Sequence, residues 1–367
     1  TGILPVSTGW KPVPLGRGKL GDNNFMKDII SIGHGGGGRL ARDLIKNLFL
    51  KHLDNPKLAL LGDSAVFEIN GSRLAMTTDS YVVKPIFFPG GDIGKLAVCG
   101  TVNDLAVAGA RPLYISCGMI IEEGFSLKDL EAITLSIKDA ARKAGVEVVT
   151  GDTKVIEKCQ GVKESESQSN IYINTAGLGI VENNIELGID KINAGDKIIL
   201  SGNIGDHGIA VLSKREGFDF ESSIESDCAA LNNIAQAILK SGCIRFMRDP
   251  TRGGLAAVLN EIAEDGGFRI EIAEDSIPVA DEIKGICSIL GLDPLYIANE
   301  GKLIAVVARD DAGKVLKAMQ AHPLGQKASI IGEVTGKGEK SGVYLKTPYG
   351  GTRILDMPVD DPLPRIC

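Results

Sequence analysis

The stretch GGDIGKLAVCGTVNDLAVAGARP, residues 90–112, decides the fold, because it predicts a helix that begins near Ile93 and ends before Gly109. A strand at 113–121 and a second helix at about 126–144 follow it in the sequence. The interior of the first helix is rich in small residues: Ala97, Cys99, Gly100, Ala106 and Ala108. Another element is therefore predicted to pack closely against this helix.

Two polar residues, Asn103 and Asp104, interrupt the apolar run of this helix. A buried polar pair needs hydrogen-bonding or charged partners, and a ligand or a cation would supply them. An exposed polar edge on an otherwise buried helix is the alternative interpretation.

A β-hairpin is predicted upstream, around the Asn-Gly pair at 70–71. A two-residue turn there places Glu68 opposite Arg73, a favourable cross-strand pair. The same register pairs Phe67 with Leu74 and Ala65 with Met76. It also brings Asp63 and Asp79 to the open end of the hairpin, where two carboxylates are typical of a hard-cation site. Ordinary N-cap or turn aspartates are the alternative.

Glycine-rich loops precede two of the predicted helices. The run GHGGGG at 33–38 leads into an amphipathic helix, and DPTRGG at 249–254 leads into another. Backbone N–H groups at a helix N-terminus bind anions, and Arg252 would add a phosphate-binding side chain. For the first loop, a flexible hinge is an equally good interpretation.

Polar residues also lie at predicted strand ends. Asp152 and Lys154 are predicted to follow an apolar strand, a position where ligand sites gather in α/β folds. A polar excursion at 157–169 comes directly after them. Glu300 lies between an apolar stretch and a strand, where it is either a turn residue or a catalytic base.

Composition excludes several classes of protein. The chain has 367 residues and a formal net charge of −7, which argues against nucleic-acid binding. No apolar run approaches the roughly 20 residues of a membrane span. The seven cysteines form no CxxC pair, so a zinc site is not expected. Their odd, scattered set favours a reducing cytoplasm as the location of the protein.

Four segments are predicted along the chain. A loose N-terminal arm covers 1–28, a first α+β domain covers 29–185, and a second covers 186–336. The remaining residues, 337–367, form a tail that is extended from Pro358 onward because of its prolines. This tail ends in a thiol, and its last ten residues would span roughly 30 Å when extended, so Cys367 is predicted to reach a site elsewhere.

Nine motifs occur in order over almost the whole chain: GHGGGG, GDSA, TTDS, TVNDLAVAGARP, GDTKV, SGNIGDHG, MRDPTRGGL, NEGKL and a terminal PRIC. Together they resemble the HypE family of hydrogenase maturation proteins. That family belongs to the ATP-binding superfamily of aminoimidazole ribonucleotide synthetase and selenophosphate synthetase. The resemblance implies a two-domain α+β fold of the aminoimidazole-ribonucleotide-synthetase type, with a dimer-forming N-terminal sheet and a flexible C-terminal tail.

The resemblance also implies an activity, that of an ATP-dependent carbamoyl dehydratase. HypF would place a carbamoyl group on the terminal cysteine, and ATP would then drive its dehydration to a thiocyanate, with ADP and phosphate released. The cyanide would pass to iron on the HypC–HypD complex and become a ligand of NiFe hydrogenase. A homodimer in the cytoplasm is expected, with neither nucleic acid nor membrane as a partner.

The site residues follow from the same resemblance. Magnesium is expected on Asp63, Asp104 and Asp249. The nucleotide is expected to contact His34, Gly35, Gly36, Asp63, Asp79, Asn103, Asp104, Asp152, Thr153 and Arg252. The catalytic residues are expected to be Cys367 as the carbamoyl acceptor, Glu300 as the base and Lys154 as a charge-neutralising or proton-shuttling group.

Two other functions compete with this interpretation. A selenophosphate-synthetase-like kinase would generally carry a cysteine or selenocysteine in the N-terminal glycine loop, and SIGHGGGGR has none. A non-catalytic binding module would use the tail as a docking peptide, but clustered aspartates and glycine loops argue against it.

Overall fold

The structure is a computed structural model that describes residues 29–158, 170–218, 224–338, 341–360, 363 and 366–367. The predicted arm at 1–28 lies outside these residues, as does 159–169 of the polar excursion. The sheets described below belong to one compact unit, Ile32–Cys367.

The first half of this unit holds a five-stranded sheet. A helical stretch at its start consists of α1 and α2 joined by a π-helical turn, Ile45–Leu50. The elements in order are α1 Arg39–Leu44, α2 Lys51–Leu53, β1 Ala65–Ile69, β2 Ser72–Tyr81, β3 Phe87–Phe88, β4 Gly91–Asp92, α3 Ile93–Val107, β5 Ala110–Glu122, α4 Leu127–Ala144, β6 Glu147–Ile156 and β7 Ile171–Val181. The sheet order is β1-β2-β7-β5-β6, in which only β5 and β6 pair in parallel. Strands β3 and β4 form a separate ribbon.

The predicted hairpin is confirmed in its register. Glu68 lies opposite Arg73, Phe67 opposite Leu74 and Ala65 opposite Met76. Asn70 and Gly71 take positive φ angles of 50° and 78°, which a tight turn of this kind requires and which glycine adopts without strain.

Helix α3 is confirmed with the predicted start, and it is buried on nearly all sides. The side chain of Asp92 caps it by accepting hydrogen bonds from the N–H groups of Gly94 and Lys95. Small residues permit the close packing: a Cβ on Gly100 would lie 2.3 Å from the hydroxyl oxygen of Tyr81. The helix packs on β2, β5 and β7 of the sheet and against α4.

The second half holds a seven-stranded sheet in the order β14-β13-β10-β12-β8-β11-β9. Apolar cores lie on its two sides, one around α7 and the other around α6 and α9. The elements in order are β8 Lys197–Leu200, α5 Asp206–Glu216, α6 Asn232–Leu239, β9 Ile244–Arg248, α7 Gly254–Gly266, β10 Phe268–Ala273, α8 Asp281–Leu290, β11 Ile304–Val307, α9 Ala312–Gln320, β12 Ser329–Lys337, β13 Gly342–Lys346 and β14 Thr352–Ile354. Strands β13 and β14 pair antiparallel at the start of the tail segment.

Within the described part of the chain, the helices leave one face of the five-stranded sheet open. Side chains of β2 and β7 alternate between a buried face, packed on α3, and an open face. Several apolar side chains of the open face are exposed, among them Met76 at 50%, Tyr114 at 43% and Ile120 at 45%. Such an exposed apolar surface is typical of an interaction site.

Among the described residues, none of the helices combines the length and apolar character needed to cross a membrane.

Candidate active site

A cluster of four carboxylates forms where the two halves meet. It consists of Asp63, Asp79, Asp104 and Asp249, and it lies around the C-terminal part of α3. The hydroxyl of Thr77 donates to Asp104 Oδ2 at 2.8 Å and is 2.7 Å from the backbone oxygen of Asp63. Thr77 thus joins Asp63 and Asp104, and the binding of a cation by these aspartates stays a prediction.

The electrostatics of this cluster favour a bound cation. Burial raises the pKa of Asp104 well above its usual range, and the carboxylates of Asp249 and Asp63 raise it further. Burial and Asp63 likewise raise the pKa of Asp249, to about 8. A divalent cation would offset the mutual repulsion of these groups.

Asp63 has a strong partner within the protein. Both of its carboxylate oxygens accept from Arg248 Nε, at 3.0 and 3.2 Å, and Arg248 Nη1 also donates to Glu261 at 2.7 Å. Within the described part of the chain, no three His, Cys, Asp or Glu side chains are grouped closely enough to hold a metal ion. Mg²⁺ commonly takes one or two carboxylates and completes its shell with water and phosphate oxygens. The cluster fits that mode, with Asp104 and Asp249 as the available ligands.

The glycine loop lies beside Arg252 and the chain's C-terminal tail. Arg252 Nη1 donates to the backbone oxygen of Gly35 at 2.7 Å. The N–H groups of Arg39 and Leu40, at the start of α1, donate to the backbone oxygens of Pro358 and Val359 at 2.9 and 3.1 Å. His34 and Gly35 lie in a 3-10 turn, Ile32–Gly35, and Gly36 N–H donates to Gly33. Contact of His34, Gly35 and Gly36 with a nucleotide stays a prediction.

Glu300 is a buried carboxyl whose side chain lacks a full set of partners. The residue is 3% exposed, and its Oε1 has no hydrogen-bond partner among the described residues. Burial raises its pKa well above the usual range, and Asp249 and Asp79 raise it further. A raised pKa and an unbonded oxygen are properties of a general base that awaits a substrate proton.

Asn103 supports the loop that carries Glu300. Its Nδ2 donates to the backbone oxygens of Ala229 and Glu300 at 3.1 and 3.2 Å, and its Oδ1 accepts from Leu231 N–H at 2.8 Å. The residue is 1% exposed. Direct contact with a nucleotide stays a prediction, and it would require these bonds to open.

Asp152, Thr153 and Lys154 lie in a different environment. The expectation that Asp152 and Lys154 follow a strand is wrong, because β6 continues through them to Ile156. The β-branched residues around them sustain the strand. Lys154 forms an ion pair with Asp152, and both residues share register positions with the open face of the sheet. None of the described contacts of these three residues reaches the carboxylate cluster.

The end of the tail is docked in the structure, whereas the sequence predicted an extended and flexible one. Leu363 is 6% exposed and Ile366 is 1% exposed, and Cys367 packs against the core that contains α3 and α5. The backbone oxygen of Ile366 is 2.9 Å from His207 Nε2. Mobility of the tail stays a prediction.

Sequence reasoning missed a buried ion pair next to this site. Asp227 and Lys302 lie 2.8 Å apart, with side chains 4% and 11% exposed. Asp227 also accepts from the N–H groups of Glu300 and Gly301, at 3.1 and 3.2 Å. Lys302 follows the NEG motif directly, but Asp227 lies in SDCAAL, which carries no recognisable signal.

Two protein-family models together match most of the chain. The N-terminal domain of AIR synthase related proteins matches residues 61–181, and the corresponding C-terminal domain matches residues 193–344. The predicted boundary at 185/186 falls between these matches and stays a prediction.

Several individual proteins match this chain over almost its whole length at high sequence identity. The chain is 47% identical to the carbamoyl dehydratase HypE of Bradyrhizobium diazoefficiens over 92% of its own length and 96% of the relative. The structure of a HypE–HypF complex has a TM-score of 0.79 at 45% identity, and covers 86% of this chain and 99% of that one. A HypE structure in complex with ATP has a TM-score of 0.76 at 45% identity, over 92% and 99% of the two chains. The chain therefore belongs to the HypE carbamoyl dehydratase family, within the AIR synthase related fold.

Proposed function

We propose that this protein uses ATP to dehydrate a carbamoyl group carried on the sulfur of Cys367. The carbamoyl oxygen departs with the phosphoryl group taken from ATP, and two protons leave the carbamoyl nitrogen. The carbon–nitrogen bond then becomes a nitrile. The products are a thiocyanate on Cys367, ADP and phosphate, and the thiocyanate supplies cyanide for the iron of NiFe hydrogenase.

The observation that carries the proposal is the buried carboxyl of Glu300, whose Oε1 has no hydrogen-bond partner among the described residues. Dehydration of a carbamoyl group needs a base near the nitrogen, because both N–H protons must be removed. Glu300 offers a carboxyl with an unbonded Oε1 and a pKa raised chiefly by burial. A neighbouring cation and Arg252 would favour its ionised form, in which it accepts a proton.

The carboxylate cluster supports a role for Mg²⁺. Asp104 and Asp249 would hold the cation, and Asp63 would contribute after a change in its pairing with Arg248. When bound, Mg²⁺ supplies positive charge beside the transferred phosphoryl group and orients that group. Arg252 and the N–H groups of the glycine loop would bind the phosphates, with Asp79 close to the same region.

The open face of the five-stranded sheet supports a homodimer. A second copy seated on this face would bury Met76, Tyr114 and Ile120. It would also surround Asp152 and Lys154. These two predicted site residues lie away from the carboxylate cluster, and in the dimer they would lie in the interface. Asp152 and Lys154 are proposed to act in that assembled state, and contact of Thr153 with the nucleotide stays a prediction.

The proposed partners follow from the reaction. HypF would supply the carbamoyl group, in keeping with the solved complex of a relative with HypF. The HypC–HypD complex would receive the cyanide, and the reaction would take place in the cytoplasm. The proposed domain organisation is an N-terminal ATP-binding domain at 29–185 and a second domain at 186–336.

The mass of the C-terminal peptide tests this function. The protein is incubated with HypF, carbamoyl phosphate and ATP, and then with fresh Mg-ATP. We expect the peptide containing Cys367 to gain one carbamoyl group and then to lose one water. Glu300→Gln should stop at the carbamoylated peptide, whereas the exposed-site control Glu147→Gln should complete the reaction. An unmodified peptide with continuing ATP consumption would instead indicate a superfamily kinase with another acceptor.

A further inference from the structure

The motif SGNIGDHG, residues 201–208, contains a histidine that the proposed chemistry does not use. His207 lies in the first turn of α5 and is completely buried. Its Nδ1 is 2.8 Å from Ser226 Oγ, and its Nε2 is 2.9 Å from the backbone oxygen of Ile366. The ring of Phe88 meets it edge-on, with 5.4 Å between centroids.

The partners of His207 determine where its proton resides. The backbone oxygen of Ile366 can only accept, so Nε2 carries the hydrogen. Burial lowers the pKa of His207, which favours the neutral ring, and Nδ1 therefore accepts from the hydroxyl of Ser226. Ser226 Oγ accepts in turn from Cys228 N–H at 3.0 Å. The hydrogen bonds thus run in one direction, from the loop at Cys228 to the tail.

The bond to Ile366 is placed where it controls the terminal thiol. Ile366 immediately precedes Cys367, and its side chain is almost fully buried. With its side chain packed and its carbonyl held, Ile366 fixes the backbone that leads into Cys367. His207 therefore helps to set where the Cys367 side chain begins.

The same region also supports the proposed base. Asp227 directly follows Ser226, whose hydroxyl bonds to His207 Nδ1, and its carboxylate raises the pKa of His207 against the effect of burial. Asp227 accepts from the N–H groups of Glu300 and Gly301 as well. One buried carboxylate thus links the loop of Glu300 with the histidine that holds the tail.

We propose that His207 is a positioning residue that anchors the carbonyl of Ile366 and so presents the sulfur of Cys367 to the active site. The catalytic part of this inference rests on the proposed function, whereas the anchoring part does not.

A matched pair of substitutions tests the anchor. Gln and Met are close in length and volume, but only Gln can donate to Ile366. The alkylation rate of Cys367 is measured by peptide mass spectrometry with iodoacetamide, in the presence of Mg²⁺ and a non-hydrolysable ATP analogue. A net hydrogen bond corresponds to about a three- to tenfold change in an equilibrium, so His207→Met should speed alkylation of Cys367 by about that factor. His207→Gln should stay near the wild-type rate.

Two internal controls accompany the measurement. Cys243 is exposed, and its alkylation rate should be the same in all variants. His322→Gln changes another histidine, whose Nδ1 accepts from Leu324 N–H, and should leave Cys367 unaffected.

A faster Cys243 in His207→Met would indicate general unfolding. Ser226→Ala is then the second test, because it keeps His207 but removes the partner of Nδ1 and the acceptor for Cys228 N–H. It should speed alkylation of Cys367 with Cys243 unchanged, since the ring that holds Ile366 is no longer oriented; an unchanged Cys367 rate overturns the proposal.

Equal Cys367 alkylation in the wild type and in correctly folded His207→Met overturns the proposal. So does a His207→Gln variant that behaves like His207→Met. The dehydration rate of the pre-carbamoylated protein should be low in His207→Met and close to the wild-type rate in His207→Gln. If HypF never carbamoylates Cys367 but the alkylation rates still differ, the anchor stands and the proposed function fails.

Discussion

Asn103 Nδ2 donates to the backbone oxygen of Glu300 at 3.2 Å, and this bond ties the middle of α3 to the loop that carries the proposed base. Asn103→Asp keeps the shape and the acceptor for Leu231 but loses both donated bonds. We expect the free energy of unfolding to fall by about 1 to 3 kcal/mol, because the backbone oxygens of Ala229 and Glu300 each lose a donor, Glu300 keeping only Ala229 N–H, and a charge is buried beside them. Urea denaturation measures this change.

The same variant should slow dehydration more than its stability loss explains, since Glu300 is no longer held in place. Asn183→Asp, at an exposed turn, is the matched control and should change neither quantity. A variant with wild-type stability would show that these hydrogen bonds contribute nothing.

Asp104→Asn tests the cation site. The substitution preserves the acceptor for the Thr77 hydroxyl but removes the charge that a cation would neutralise. We expect calorimetry to show nucleotide affinity at least about tenfold weaker with Mg²⁺, and little change without it. Asp139→Asn, at an exposed ion pair on α4, should bind Mg-ATP normally. Unchanged Mg²⁺-dependent affinity would remove Asp104 from the site.

Asp206 should make stability depend on pH. Burial raises its pKa from 3.8 to about 6, so the folded state holds this proton more tightly than the unfolded state. The contribution of protonated Asp206 to the free energy of unfolding is fully present below about pH 4, and it is lost as the pH rises through 6. After allowance for its partial exposure, the loss should be about 1 to 2 kcal/mol.

Urea unfolding at pH 4 and pH 7 checks this expectation. Asp206→Asn should flatten the decline relative to the wild type, while Asp54→Asn, at an exposed position, should retain it. Parallel curves for the wild type and Asp206→Asn would contradict the raised pKa.

The open sheet face should determine the oligomeric state. Met76→Asp puts a charge into the proposed dimer interface, where burying an unpaired carboxylate is costly. We expect sedimentation to show a monomer at concentrations where the wild type is a dimer. Ile289→Asp alters an apolar residue that is 79% exposed on α8, and should leave the dimer intact. A dimeric Met76→Asp would place the interface elsewhere.

Local features were predictable because their signals are local. The Asn70-Gly71 turn determines the hairpin register, and that register brings Asp63 and Asp79 to one end. The apolar run with small residues likewise defined α3 and its close packing. Asp63, Asp79 and Asp104 belong to these two elements, whereas Asp249 was expected at the site only from the family resemblance.

Long-range features were not predictable in the same way. The strand pattern of β6 continues through polar residues that looked like a loop, because a strand with an uncovered face tolerates Asp152 and Lys154. The partners of Asp227 come from distant parts of the chain, and neither spacing nor periodicity reports them. The docked tail depends on His207 in the same way.

The first helix receives its N-terminal cap from the tail, through Pro358 and Val359. These partners lie far apart in the sequence. Closing so long a loop is entropically costly and is rewarded late. Folding should therefore finish with this step: both sheets form first, and the glycine loop takes its final position only when α1 meets Pro358 and Val359.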